Sequence, residues 1–220
     1  MSFPALGSGE GERPEDTEDD VTTNLRWRDP RIARWNFIGI VGGHGHAALL
    51  GVIGFLVIDR LQVSLDEAQH AIALVMIAGA AATLLAQWWL IPQLRLLPRQ
   101  LCIWGCIMSA AGALIAGLSP DIYGITLGFA VASLGFGFFR PGYTSGASLA
   151  VAPFEQNEIA GMTTSVNGIA FVAAPAIAVA LYGLAQAAPF IVIAILMLAL
   201  AGWMSLRFNP ADRGVSTSRG

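Results

Sequence analysis

Lysine is absent from this chain of 220 residues, so all twelve of its basic side chains are arginines. Cysteine is nearly absent. The two that occur, Cys102 and Cys106, stand four apart inside an apolar run, with no nearby histidine or acid. That placement excludes a disulfide framework and a zinc site and predicts packing residues. Charge of either sign is scarce, at 12% against 55% hydrophobic residues and a mean hydropathy of +0.63, which excludes an ordinary soluble domain. Glycine-rich phosphate loops, dinucleotide fingerprints and metal-ligand spacings are missing too, and nothing points to nucleic-acid binding. No cofactor is expected. The apolar runs lack the ten-residue alternation of outer-membrane strands, so helices and not a barrel are expected. The start of the chain has no apolar core behind a basic segment, which excludes a secretory signal and predicts that the N-terminus is retained.

What charge there is falls unevenly. Met1 to Leu25 holds seven acids against Arg13 alone, in a Gly, Ser, Pro-rich stretch without apolar period. Such a stretch buries too little to offset its ordering entropy, so residues 1–30 are expected to form a disordered acidic tail. Arg26, Arg28, Arg31 and Arg34, with Trp27 and Trp35, then make a basic and aromatic collar. Behind it, six apolar runs at about 36–58, 70–90, 100–118, 122–140, 159–184 and 189–208 are each close to the ~20 residues that cross a bilayer as helix. The expected fold class is therefore all-α: a polytopic membrane protein with a six-span domain over 31–208 and a short tail over 209–220. Six spans put both termini on one side, and only Arg60 of the twelve arginines falls in a connection on the other side. The positive-inside rule makes the termini cytoplasmic. Small residues at four-residue spacing, Gly39 to Gly43, Ala78 to Ala82 and Gly124 to Gly128, fit closely packed helices.

Polar side chains within the runs are the functional candidates, because burying them in lipid is costly. His44 and His46 are two residues apart, about 200° around a helix, so both cannot face one cavity. Gln87 lies near a span end, where water satisfies it. Asn167, preceded by Thr163, Thr164 and Ser165, makes the first half of the fifth run polar. A cavity wall is expected from the first, fourth and fifth runs, lined by His46 or His44, Tyr143, Ser165 and Asn167. Arg140 has two readings. If the fourth run stops there, it is an interface residue whose head reaches water, like Arg99; if the helix continues past Pro141, the guanidinium is partly buried and faces the cavity. Outside the tails, Glu155 and Glu158 are the only acids on its side and its expected partners if it does not face the cavity.

The order Pro141, Gln156, Gly161, Ser165, Pro175 and Leu181-Tyr182-Gly183 resembles the tenth and eleventh helices, and the turn between them, of major facilitator superfamily transporters of the tetracycline-efflux, drug/proton antiporter type. The segment Leu25-Arg26-Trp27-Arg28-Asp29-Pro30-Arg31 is similar to the end of that family's central loop. Pro92-Gln93-Leu94-Arg95-Leu96-Leu97-Pro98-Arg99 is a degenerate echo of its loop motif. The resemblance covers about 25–208 and one half of such a transporter, the C-terminal six helices. It implies a bacterial-type inner membrane and transport of a small-molecule substrate by proton-coupled efflux. The partners implied are membrane lipid, protons and a second six-helix lobe, from a copy of the chain or a separate one. The alternative is a truncated, non-transporting remnant. An enzyme is not expected: Tyr143-Thr144-Ser145-Gly146 touches the rhomboid protease signature, but Tyr143 stands where glycine is needed, and every histidine precedes Ser145, leaving it without a base.

Overall fold

The computed structural model describes residues 26–207, except for the side chain of Leu65. The acidic stretch before Arg26 and the tail after Arg207 lie outside the described residues. Residues 26–30, which fall within the stretch expected to be disordered, form a turn in which the Asp29 N–H bonds the Arg26 carbonyl at 2.8 Å.

The helices are α1 (Ala33–Leu61), α2 (Leu65–Leu85), α3 (Ile91–Leu94), α4 (Pro98–Leu118), α5 (Ile122–Leu149), α6 (Gln156–Leu184) and α7 (Ala188–Arg207). A π-helical turn, Ala86–Leu90, joins α2 and α3 into one rod, and a 3₁₀ turn, Pro153–Glu155, leads into α6. Among the described residues, six rods are long and apolar enough to cross a membrane. By length and composition this is a multi-pass membrane protein.

Local chemistry sets the limits of these rods. The Ser64 hydroxyl accepts from the Glu67 N–H at 3.4 Å and the Glu67 carboxylate accepts from the Ser64 N–H at 3.3 Å, a reciprocal cap on α2. Asp121 caps α5 by accepting from the Gly124 N–H at 2.8 Å. Gln62 and Arg95 end α1 and α3 in the left-handed conformation, at φ 49° and 46°. The observed helices extend past most of the expected spans, and the largest difference is at α5. It continues nine residues beyond Arg140, straight through Pro141. A proline inside a helix forfeits one hydrogen bond, here to the Gly137 carbonyl, but its fixed φ is helical, and packing on both sides holds the chain in line.

The core lies between α1, α4, α5 and α7. Its tightest seam is α4 against α5. A Cβ on Gly112 would collide with the backbone of Ala132 and Gly128; one on Gly128 with Ala116; one on Gly135 with Ser109. Gly105, Ser109, Gly112 and Ala116 thus mesh with Gly128, Ala132 and Gly135, in the way small residues let membrane helices approach. The buried thiols of Cys102 and Cys106 fill the same core, and Cys102 Sγ lies 3.8 Å from the Phe139 carbonyl.

The pairing of the rods has an internal order. The six most extensive pairings are α4 with α5, α1 with α6, α2 with α5, α4 with α7, α1 with α5 and α1 with α7. Exchanging the first three rods for the last three (α1 with α5, α2 with α6, α4 with α7) turns this set into itself. Because successive rods alternate in direction, that exchange also inverts each rod.

Candidate functional site

The side chains that face one another where α1, α5 and α6 converge follow from helix geometry. On α5, Phe136, Phe139, Arg140 and Tyr143 share one face at three- and four-residue spacing. On α1 the facing residues are Gly42, Gly43 and His46; on α6 they are Asn167 and Phe171. Together these nine residues line a recess of about 20 Å³, partly open to the side. The His46 ring stacks on Phe136 with centroids 4.5 Å apart, and Phe171 meets it edge-on at 6.1 Å. The Tyr143 hydroxyl donates to Asn167 Oδ1 at 2.9 Å. Among the described residues the Arg140 guanidinium has no hydrogen-bond acceptor and no acidic partner.

Depth follows from helix rise. α5 has 28 residues, roughly 42 Å at about 1.5 Å each, and Arg140 lies about 27 Å from its first residue. A hydrocarbon layer of ~30 Å centred on the helix therefore encloses it. The side chain is nevertheless exposed within the chain itself, not partly buried.

The other expected lining residues do not join this wall. His44 lies on the far side of α1, with Nδ1 2.7 Å from the Ile40 carbonyl, in a separate apolar recess with Ala174, Ile177 and Leu196. Ser165 is turned away from Asn167 by two helix positions, is exposed, and donates to the Gly161 carbonyl at 3.1 Å. Thr163 and Thr164 likewise bond the Ala160 carbonyl at 2.9 Å. Gln87 is exposed on the π-helical turn. Ser145 donates to the Pro141 carbonyl at 2.6 Å, within its own helix.

Glu155 does not pair with Arg140. It is 8% exposed, and its carboxylate takes both terminal nitrogens of Arg31 at 2.9 Å and the Ala152 N–H at 2.8 Å. A planar guanidinium matches a carboxylate in this two-point fashion, and the fold brings Arg31, not Arg140, to within 2.9 Å of Glu155. Asp29 bonds the same Arg31, whose guanidinium holds the Asp29 carboxyl below the usual range and is itself pushed up by both acids. Arg99, from the start of α4, donates to the Met204 and Ser205 carbonyls at the end of α7 at 3.3 and 2.9 Å. At the opposite end Tyr182 donates to Asp59 at 2.8 Å. α1 and α6 are thus tied at both ends, and the recess lies between the ties.

Sequence reasoning missed Phe136, Phe139 and Phe171, because apolar aromatics in an apolar run carry no signal of their own. The four-residue spacing of Phe136 to Arg140 and of Phe139 to Tyr143 on one helical face was the signal that would have found the first two. Among the described residues no group of three or more His, Cys, Asp or Glu side chains gathers to hold a metal ion. No protein-family model matches the chain, and no curated protein matches it.

Proposed function

We propose that this chain is one lobe of a major-facilitator-type secondary transporter, carrying a small molecule through a bacterial-type plasma membrane by proton-coupled efflux, with both termini cytoplasmic. The observation that carries this reading is the internal order of the bundle: the six principal helix pairings map onto themselves when the first three rods are exchanged, inverted, with the last three. Inverted repeats of three helices within a six-helix lobe are how such transporters build a path that opens to either side. The polar recess at the junction of α1, α5 and α6 fits the same reading, since an arginine at membrane depth marks a pathway or a partner. So does α6, whose Gly161, Thr164, Ser165 and Gly168 form an uncovered face. Small and hydroxylated faces in membranes pack against other helices. In this reading the second lobe, a copy of the chain or a separate one, supplies the opposite wall, and the chain is not an enzyme.

The test is mass measurement in mild detergent joined to solute flux in proteoliposomes. A pair of lobes and proton-dependent flux are expected. A strict monomer without flux would overturn the proposal in favour of a non-transporting remnant.

A further inference from the structure

Resting on that reading, we propose that the recess between α1, α5 and α6 takes an organic anion with a flat apolar body, an aromatic carboxylate being the simplest case. The argument is one of unmatched chemistry. Arg140 is permanently charged, lies at membrane depth and has no acceptor among the described residues. None of the seven acids described, Asp29, Asp59, Asp66, Glu67, Asp121, Glu155 and Glu158, lines the recess. Because the Tyr143 hydroxyl occupies Asn167 Oδ1, the amide nitrogen of Asn167 is left with its donors. His46 offers a ring N–H in either tautomer. The polar groups that remain uncommitted are therefore mainly donors, which suits a ligand of acceptors and repels a cation.

The apolar part of the lining is aromatic. Phe136, buried in the core, holds the His46 ring in a stack at 4.5 Å, and Phe171, half exposed, stands edge-on to His46 at 6.1 Å, so the ring that the wall offers a ligand is that of Phe171. A carboxylate bound to the Arg140 fork and the Asn167 amide would place an attached ring against Phe171. At about 20 Å³ the recess is only part of a site and is partly open, so in the transporter reading the second lobe supplies the rest of it.

The closing experiment measures binding, not transport, on the full chain reconstituted in lipid vesicles. The probe is 1-naphthoate, compared with 1-naphthylmethylammonium, which keeps the ring and reverses the charge. Saturable binding of the anion is expected, weakened about tenfold or more by R140Q and less by R140K, which keeps the charge and loses the two-point fork. Helix content and melting temperature of both variants report folding; where R140Q fails to fold, N167L, expected to weaken the anion less, takes its place. Cation binding equal to the anion's, anion binding indifferent to R140Q and N167L, or no binding by the unsubstituted chain would overturn the inference. Anion binding by a chain that proves monomeric and carries no flux would keep the inference and discard the transporter reading. Flux of cations by a two-lobe assembly would do the reverse.

Discussion

At the scale of single residues, two positions along a helix decide which side chains meet. His46 enters the recess and His44 does not; Asn167 enters and Ser165 does not. In a background with Cys102 and Cys106 replaced by alanine, His46→Cys and Asn167→Cys should therefore react with a membrane-impermeant thiol reagent. His44→Cys, in a recess lined by aliphatic side chains, should stay protected. Equal labelling of all three would mean that α1 is rotated from the described position. The sequence carried half of this, since the 200° separation forbids both histidines from sharing one cavity. It could not say which one faces α5, because that depends on the stacking of His46 on Phe136, a contact made across 90 residues. The Glu155 partner was illegible for a similar reason. Arg31 and Arg140 are both guanidines, and only the fold shows that Arg31 is within 2.9 Å.

At the scale of the element, the six rods were legible because apolar runs of that length admit few other solutions in lipid. Their exact ends were not. Pro141 left two readings open, a stop at Arg140 or a helix that continues, and because a proline costs its helix one hydrogen bond without forcing an end, α5 runs on to Leu149. The close α4–α5 seam was also illegible in part. Gly128 stood out by its spacing from Gly124, yet Gly124 meets Ser119, and the residues that mesh with Gly128 are on another helix. The seam gives a sharp expectation. Gly112→Val or Gly128→Val must push α4 from α5, and since the obstruction is backbone and not a flexible side chain, the cost should exceed the ~1–3 kcal/mol of ordinary overpacking. Gly202→Val, with nothing near its added carbon, should fold as before. Thermal melting in detergent separates the three, and a Gly112→Val chain as stable as the Gly202→Val chain would rule out the close approach.

At the scale of the whole molecule, the bundle is finished on one side and unfinished on the other. α4, α5 and α1 are well covered by the chain, whereas α6 exposes Gly161, Thr164, Ser165 and Gly168, and no atom would meet a Cβ added at either glycine. Lipid tails gain little from a face of small and hydroxylated residues, while another helix gains close backbone approach, so this face is where the proposed second lobe should dock. One edge of this face adjoins the recess, because Thr164 lies three positions before Asn167 and Gly168 three before Phe171. Folding of the chain and pairing of the lobes should consequently separate. Gly161→Leu and Gly168→Leu meet no obstruction within the chain, so melting temperature and helix content should hold within experimental error. The same substitutions would fill the surface against which the proposed second lobe would pack, where added side-chain volume forces helices apart, and should convert the expected paired species to the single chain in mild detergent. Loss of stability in the isolated chain would show that the face is covered from within. Unchanged pairing in both variants would move the proposed second lobe to another side, such as the rod formed by α2 and the π-helical turn, where Leu74, Ile77, Leu84 and Trp88 are exposed.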